Sequence, residues 1–122
     1  MPEVHPVSIA GRKVLVVEDE YFIAQDMVRA LRDSGAEIVG PVANVDDALD
    51  LLEQAGTIDA AVLDVNLQGE MVYPVADILL ARSVPFVFTT GYDETAIPAK
   101  YRSVARCEKP VEARKVGRAL FG

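Results

Sequence analysis

The sequence predicts an α/β fold of the doubly wound class, a five-stranded parallel sheet with helices on both faces. Three observations carry this. Short apolar, β-branched runs alternate with stretches of helical periodicity along the chain. The two clearest runs, Lys13–Val17 and Ala60–Leu63, show no polar alternation, as expected of strands buried on both faces. Both end abruptly in acids, Glu18-Asp19-Glu20 and Asp64.

Each element follows in order. Residues 1–11 read as an irregular leader, and 12–122 as the domain. Lys13–Val17 is the first strand. From Tyr21 to Asp33, Ile23, Met27, Ala30 and Leu31 recur at helical spacing, and Ser34-Gly35 stops the helix. Glu37–Val42 is a weaker strand near a sheet edge, since Pro41 has no N–H to give a ladder. Asn44 is a suitable N-cap for a helix that carries Ala48, Leu51 and Leu52 to Gln54, before Gly56. Ala60–Leu63 is the third strand, and Val65–Glu70 reads as a loop. A helix with Val75, Ala76, Ile78 and Leu79 follows. Pro85–Thr90 is the fourth strand, closed by Gly91. A short, poorly patterned helix is expected over Glu94–Ala99, a short strand over Val104–Cys107, and a last helix over Glu112–Leu120 with Val116 and Leu120 inward. The commonest five-stranded arrangement of this class is the flavodoxin-like order 2-1-3-4-5. Its functional crevice lies beyond the carboxyl ends of the strands, where strands 1 and 3 diverge.

Composition narrows the function classes. At 122 residues, 51% apolar and 25% charged, the chain fits one globular domain. Its longest charge-free stretch, Ser83–Tyr92, is far short of the roughly 20 residues that span a bilayer. No secretory signal is read at the N-terminus, and Cys107 has no second cysteine to pair with. A cytoplasmic setting without a membrane partner is expected. The net charge of −7 argues against nucleic acid as the main partner. Seven of the twelve basic residues lie at or after Lys100, among them Arg102, Lys109 and Lys115. That clustering reads as a solvated helix face, or as a docking face for an acidic partner.

The polar residues just past the strands form a pattern. Strand 1 delivers Glu18 and Asp19, strand 3 Asp64, strand 4 Thr90 and strand 5 Lys109, all along one sheet edge. Converging carboxylates repel, and burying them unpaired is costly. A hard divalent cation relieves this, since Mg²⁺ takes oxygen ligands and keeps waters that a phosphoryl oxygen can replace. Lys109 adds positive charge and Thr90 a hydroxyl, which suits a phosphoryl group.

Val17-Glu18-Asp19-Glu20, Leu63-Asp64-Val65-Asn66-Leu67, Thr90-Gly91 and Lys109-Pro110 together resemble the receiver domain of two-component response regulators, over roughly residues 12–122. The stretch Phe88-Thr89-Thr90-Gly91-Tyr92 is similar to the FATGUY subclass, with Thr89 in place of Ala. That subclass is associated with alphaproteobacteria and with sensor kinases of the HWE type. The resemblance implies that Asp64 is the phosphoacceptor, forming an acyl phosphate. It implies that Asp19, Asp64 and the backbone carbonyl of Asn66 bind Mg²⁺ or Mn²⁺, and that Glu18, where the family usually has Asp, helps through a water. Lys109 would pair with the phosphoryl oxygens, Thr90 would hydrogen-bond one of them, and Lys109-Pro110 is often a cis bond in this family.

The resemblance implies a response regulator rather than an enzyme, one that assists its own phosphorylation and dephosphorylation, and a stand-alone one is expected because the sequence stops just after the expected last helix. Its partners would be a sensor histidine kinase, of HWE type if the subclass holds, and a histidine phosphotransfer protein, with the chain a monomer or weak dimer. Two alternatives stand beside it. Asp64-Val65-Asn66 resembles the Asp-x-Asp phosphohydrolases, but Asn66 cannot act as their general acid. A flavodoxin-type binding module would need a phosphate-friendly loop after strand 1, where Glu18-Asp19-Glu20 stands instead. One departure touches the switch. Most receivers have an aromatic three positions before the Lys, and here that residue is Arg106, expected to stay near solvent. Thr90 with Tyr92 is the expected replacement.

Overall fold

The computed structural model of the chain describes residues 9–91 and 97–121. In chain order the elements are β1 (Lys13–Val17), α1 (Tyr21–Asp33), β2 (Glu37–Val42), α2 (Val45–Gln54), β3 (Ala60–Asp64), β4 (Asn66–Leu67) and β5 (Glu70–Met71). There follow α3 (Tyr73–Ala81), β6 (Phe86–Thr90), a 3₁₀ turn (Ala99–Tyr101), β7 (Arg106–Glu108) and α4 (Ala113–Phe121). The parallel sheet runs β2-β1-β3-β6-β7, the expected 2-1-3-4-5 order, and places β2 at an edge. None of the described helices is long and apolar enough to cross a membrane.

Two half-cores explain the unbroken apolar runs. Leu15, Leu63 and Phe88 pack against α2 and α3 through Leu52 and Leu79. Val14, Val16, Val62 and Val87 pack on the other face against Met27 and Leu31 of α1 and Val116 of α4. Alternate residues of each central strand therefore serve opposite layers, and Val14–Val17 and Ala60–Leu63 have no exposure at all. Asn44 caps α2 as expected, its side chain accepting a hydrogen bond from Asp47 N at 2.8 Å.

The edge strand β2 carries a bulge that matters for the site. Leu15 pairs with Val39 but Val17 pairs with Val42, so Gly40 and Pro41 together face Val16. Gly40 sits at φ +98°, and a Cβ there would lie 3.0 Å from both Val16 O and Val42 N, so only glycine fits. Beyond the bulge, Val42 O accepts the Glu18 N–H at 2.9 Å and ties the first site residue to the edge strand.

Four expectations need correction. Val65–Glu70 is not an open loop: β4 and β5 form an antiparallel hairpin, Asn66 opposite Met71 and Leu67 opposite Glu70. Its turn residues Gln68 (φ 56°) and Gly69 (φ 94°) are both left-handed, which Gln disguises in the sequence. The last strand is Arg106–Glu108 rather than Val104–Cys107, because the Val104 N–H is still bonded to Tyr101 O in the preceding turn. The expected helix over Glu94–Ala99 lies partly outside the described residues. Within them, Ile97 and Pro98 are not helical, and a single 3₁₀ turn follows an extended Pro98. Four α-helices are therefore seen among the described residues where five were expected.

Ile9, placed in the leader by its sequence, is 2% exposed and packs into the α1 and α4 half-core. Ile9→Ala is expected to destabilise the domain by about 2–4 kcal/mol, the range for truncating a buried aliphatic side chain. Urea unfolding followed by circular dichroism measures this, and a loss within error of zero would show that Ile9 is not part of the core.

Candidate functional site

The carboxyl ends of β1, β3, β6 and β7 meet at one edge of the sheet. Alternation fixes which side chains meet. Glu18 continues the face of Val14 and Val16, and Asp64 that of Val62, so both turn toward the α1 and α4 side. β1 and β3 run in register to Val17 and Leu63, which sets the two acids side by side. Asp64 is 6% and Glu18 2% exposed, an uncommon placement for carboxylates without a counter-charge.

Lys109 supplies that charge. Its Nζ lies 2.7 Å from Glu18 Oε1 and 3.0 Å from Asp64 Oδ2, so one ammonium bridges both acids. Backbone donors hold the remaining oxygens. Glu20 N donates to Glu18 Oε2 at 3.0 Å, and Asn66 N donates to Asp64 Oδ1 at 3.2 Å. Lys109 is itself placed by its N–H bond to Thr90 O at 3.1 Å, and the Lys109-Pro110 bond after it is cis.

Burial, and next the charge of Glu18, push the Asp64 carboxyl up to about 7 against the lowering pull of Lys109. For Lys109 burial works the other way. The hydrogen bonds and charges of Glu18 and Asp64 outweigh it and hold the ammonium's pKa above the ordinary lysine value. Among the described residues the site is thus short of positive charge, with one cation for two buried acids and Asp19 beside them.

Ligand oxygens of Glu18, Asp19 and Asp64 all lie within 4.8 Å of one another. A cluster of hard oxygen donors with excess negative charge fits Mg²⁺ or Mn²⁺ and suits no soft metal. Asp19 is half-buried at the rim. Asn66 begins β4, and its side-chain oxygen accepts from Gly69 N at 2.6 Å, so the amide serves the hairpin turn. Thr90 ends β6 half-buried, with its carbonyl on Lys109 N. Tyr92 lies outside the described residues. Arg106 is exposed, as expected, and Cys107 is buried beside it on the opposite face.

Sequence reasoning gives no role to two neighbours of the site. Glu70 Oε1 accepts from Val45 N at 3.3 Å and so ties the hairpin after Asp64 to the start of α2. Thr89 pairs in register with Asp64 and is fully buried. Both belong to the second half of a pairing that only the folded register discloses.

The raised pKa of Asp64 has a consequence for stability. An unfolded Asp titrates near 3.8 and the folded one near 7, so the native state holds the extra proton between them. The stabilisation is complete below the lower value and is lost as pH rises through the upper one. In a metal-free, chelator-treated buffer, the thermal midpoint of Asp64→Asn should therefore fall less than that of the wild type from about pH 5 to about pH 8. Parallel curves for the two proteins would contradict this.

The chain is 29% identical over 92 residues to the transcriptional regulatory protein PdtaR of Mycobacterium tuberculosis, a match covering 75% of this chain and 44% of that regulator. It therefore spans less than half the length of that relative. The solution structure of SdrG from Sphingomonas melonis Fr1 is 41% identical, with a TM-score of 0.79 over 89% of this chain and 92% of SdrG. The BeF3-activated conformation of SdrG, from Pseudomonas melonis Fr1, is 40% identical, with a TM-score of 0.73 over 91% of this chain and 94% of that one. The family model of the response regulator receiver domain matches residues 14–115, most of the sheet and all the strand-end acids, and the chain belongs to that family.

Proposed function

We propose that the chain acts as a single-domain response regulator that accepts a phosphoryl group on Asp64. The observation that carries this reading is the single ammonium shared by Glu18 and Asp64 at the carboxyl end of the sheet. An oxygen of Asp64 forms the new P–O bond. The bond from phosphorus to the donor breaks, and its electron pair leaves with the donor, an imidazole nitrogen where the donor is a phosphohistidine. Asp64 gives up its carboxylate charge and the phosphoryl group brings more, so Lys109 is drawn toward the phosphoryl oxygens. Thr90 supplies a hydroxyl to the same group, with Tyr92 as the reporting aromatic.

Asp19, Asp64 and the Asn66 carbonyl are the residues to hold Mg²⁺ or Mn²⁺, with Glu18 assisting through a water. Bound there, the cation would neutralise charge on the phosphoryl oxygens. The receiver unit spans residues 12–122, with Ile9 of the preceding segment 1–11 packed into its core. The donor fits a sensor histidine kinase, of HWE type on the FATGUY-like stretch Phe88–Tyr92, or a histidine phosphotransfer protein. Output would pass by partner binding or onward phosphotransfer, in the cytoplasm, with no catalytic turnover of a substrate and no nucleic acid bound. A monomer or weak dimer suffices for this.

Two outcomes are expected. Acetyl phosphate with Mg²⁺ adds one phosphoryl mass, labile to hydroxylamine, and Asp64→Asn abolishes it. Intact mass spectrometry reads both, and an Asp64→Asn protein labelled at the wild-type rate would refute the assignment. Mg²⁺ also raises the thermal midpoint by linkage, in proportion to ln(1 + [L]/Kd). Asp19→Asn should remove most of that shift. Asp26→Asn should not, because Asp26 is an exposed α1 residue paired with Arg29 at 3.8 Å and away from the strand-end acids. Equal losses would mean that Mg²⁺ acts diffusely.

A further inference from the structure

Thr89 is out of place by ordinary rules. It lies on a strand whose other inner positions are apolar, it has no exposure, and its hydroxyl has no hydrogen-bond partner among the described residues. Burying an unpartnered hydroxyl is unfavourable, and valine would fill the same space without that cost. The register says where the hydroxyl stands. Thr89 pairs with Asp64 on one side and with Cys107 on the other. It shares the face of Val87, just as Asp64 shares that of Val62 and Cys107 lies in the same half-core. Asp64 and Thr89 are thus neighbours across strands about 4.8 Å apart, pointing to the same side. Lys109, two residues after Cys107, reaches over this row to meet Asp64.

The neighbourhood is rich in acceptors and poor in donors. Among the described residues Glu18 and Asp64 share one ammonium, and each has one backbone donor besides, Glu20 N and Asn66 N. When Lys109 follows the phosphoryl charge, Asp64 loses the donor on Oδ2. A hydroxyl beside it can turn about one side-chain bond to replace that donor, and a valine cannot.

We propose that Thr89 is a positioning residue for Asp64: its buried hydroxyl donates to the Asp64 side chain as Lys109 moves to the incoming phosphoryl group, keeping the attacking carboxyl group oriented. This rests on Asp64 as phosphoacceptor. It concerns a step after donor and cation have bound, so it affects the rate of transfer and not the binding of either.

The test uses the full chain with acetyl phosphate and Mg²⁺, following the phosphoryl mass with time. Thr89→Val should fold at least as stably as the wild type, since it removes a buried unpartnered hydroxyl. Its saturating rate of labelling should fall about tenfold, the low end for a hydrogen bond to a charged group. Its half-saturating acetyl phosphate and Mg²⁺ concentrations should stay unchanged. Thr89→Ser, which keeps the hydroxyl, should recover most of the rate, and Thr89→Ala, which adds no bulk, should show the same loss as Thr89→Val. Wild-type rates in Thr89→Val, or an equal loss in Thr89→Ser, would overturn the proposal while leaving Asp64 as the acceptor. A wild-type protein that takes up no phosphoryl group, or labelling that survives Asp64→Asn, would defeat the underlying reading and the proposal with it.

Discussion

The Lys109 ammonium lies between two carboxylates that the sheet forces together, and the upper edge of the domain is arranged around it. Glu18 and Asp64 are neighbours because β1 and β3 are parallel and in register. They are buried because the strands carrying them are covered on both faces. Neither fact can be relaxed without losing the core, so the repulsion is built in and must be met by charge. One lysine meets it in part. Its long stem lets a residue just past the far edge strand reach across β6 to both acids, which a short cationic side chain could not do. The arrangement holds together, yet it leaves a carboxyl that binds its proton far more tightly than usual.

Much of this was legible in the sequence because burial writes itself into composition. Val14–Val17 and Ala60–Leu63 read as doubly covered strands for lack of polar alternation, and acids at their ends marked the crevice. Lys109 and Thr90 were found by the same logic. What stayed hidden depends on register and on backbone sign. Thr89 looks like a strand former until the pairing sets it beside Asp64. Gln68 gives no hint of a left-handed turn, so the hairpin after Asp64 read as loop. Ile9 stands alone among polar and small neighbours and shows no periodicity, though it belongs to the core. The last strand was offset because Val104 and Ala105 are apolar enough for a strand while the turn before them still holds Val104.

The aromatic residues show how a core can meet one need from another direction. Arg106 is exposed, and no aromatic enters from β7. Tyr101, from the 3₁₀ turn, is buried instead and stacks on Tyr73 at 5.0 Å between ring centroids, with Phe88 edge-on at 5.6 Å. Its hydroxyl donates to Asp77 of α3, which also pairs with Lys100 at 3.2 Å. The segment between β6 and β7 is therefore fastened to α3 at its C-terminal end by both packing and charge.

The order of the sheet also decides how the molecule meets its own kind. An open sheet has two rims, each a row of unpaired backbone groups that could recruit a strand from another chain. Here one rim is β2, broken by the Gly40-Pro41 bulge, where proline has no N–H to offer. The other is β7, three residues long, with exposed Arg106 and Glu108 and followed at once by Pro110, which has no N–H to offer. Neither rim presents a long, flat, hydrogen-bonding template. The bulge that leads β2 to Glu18 and the short strand that leads to Lys109 thus also blunt the two rims against edge-to-edge pairing.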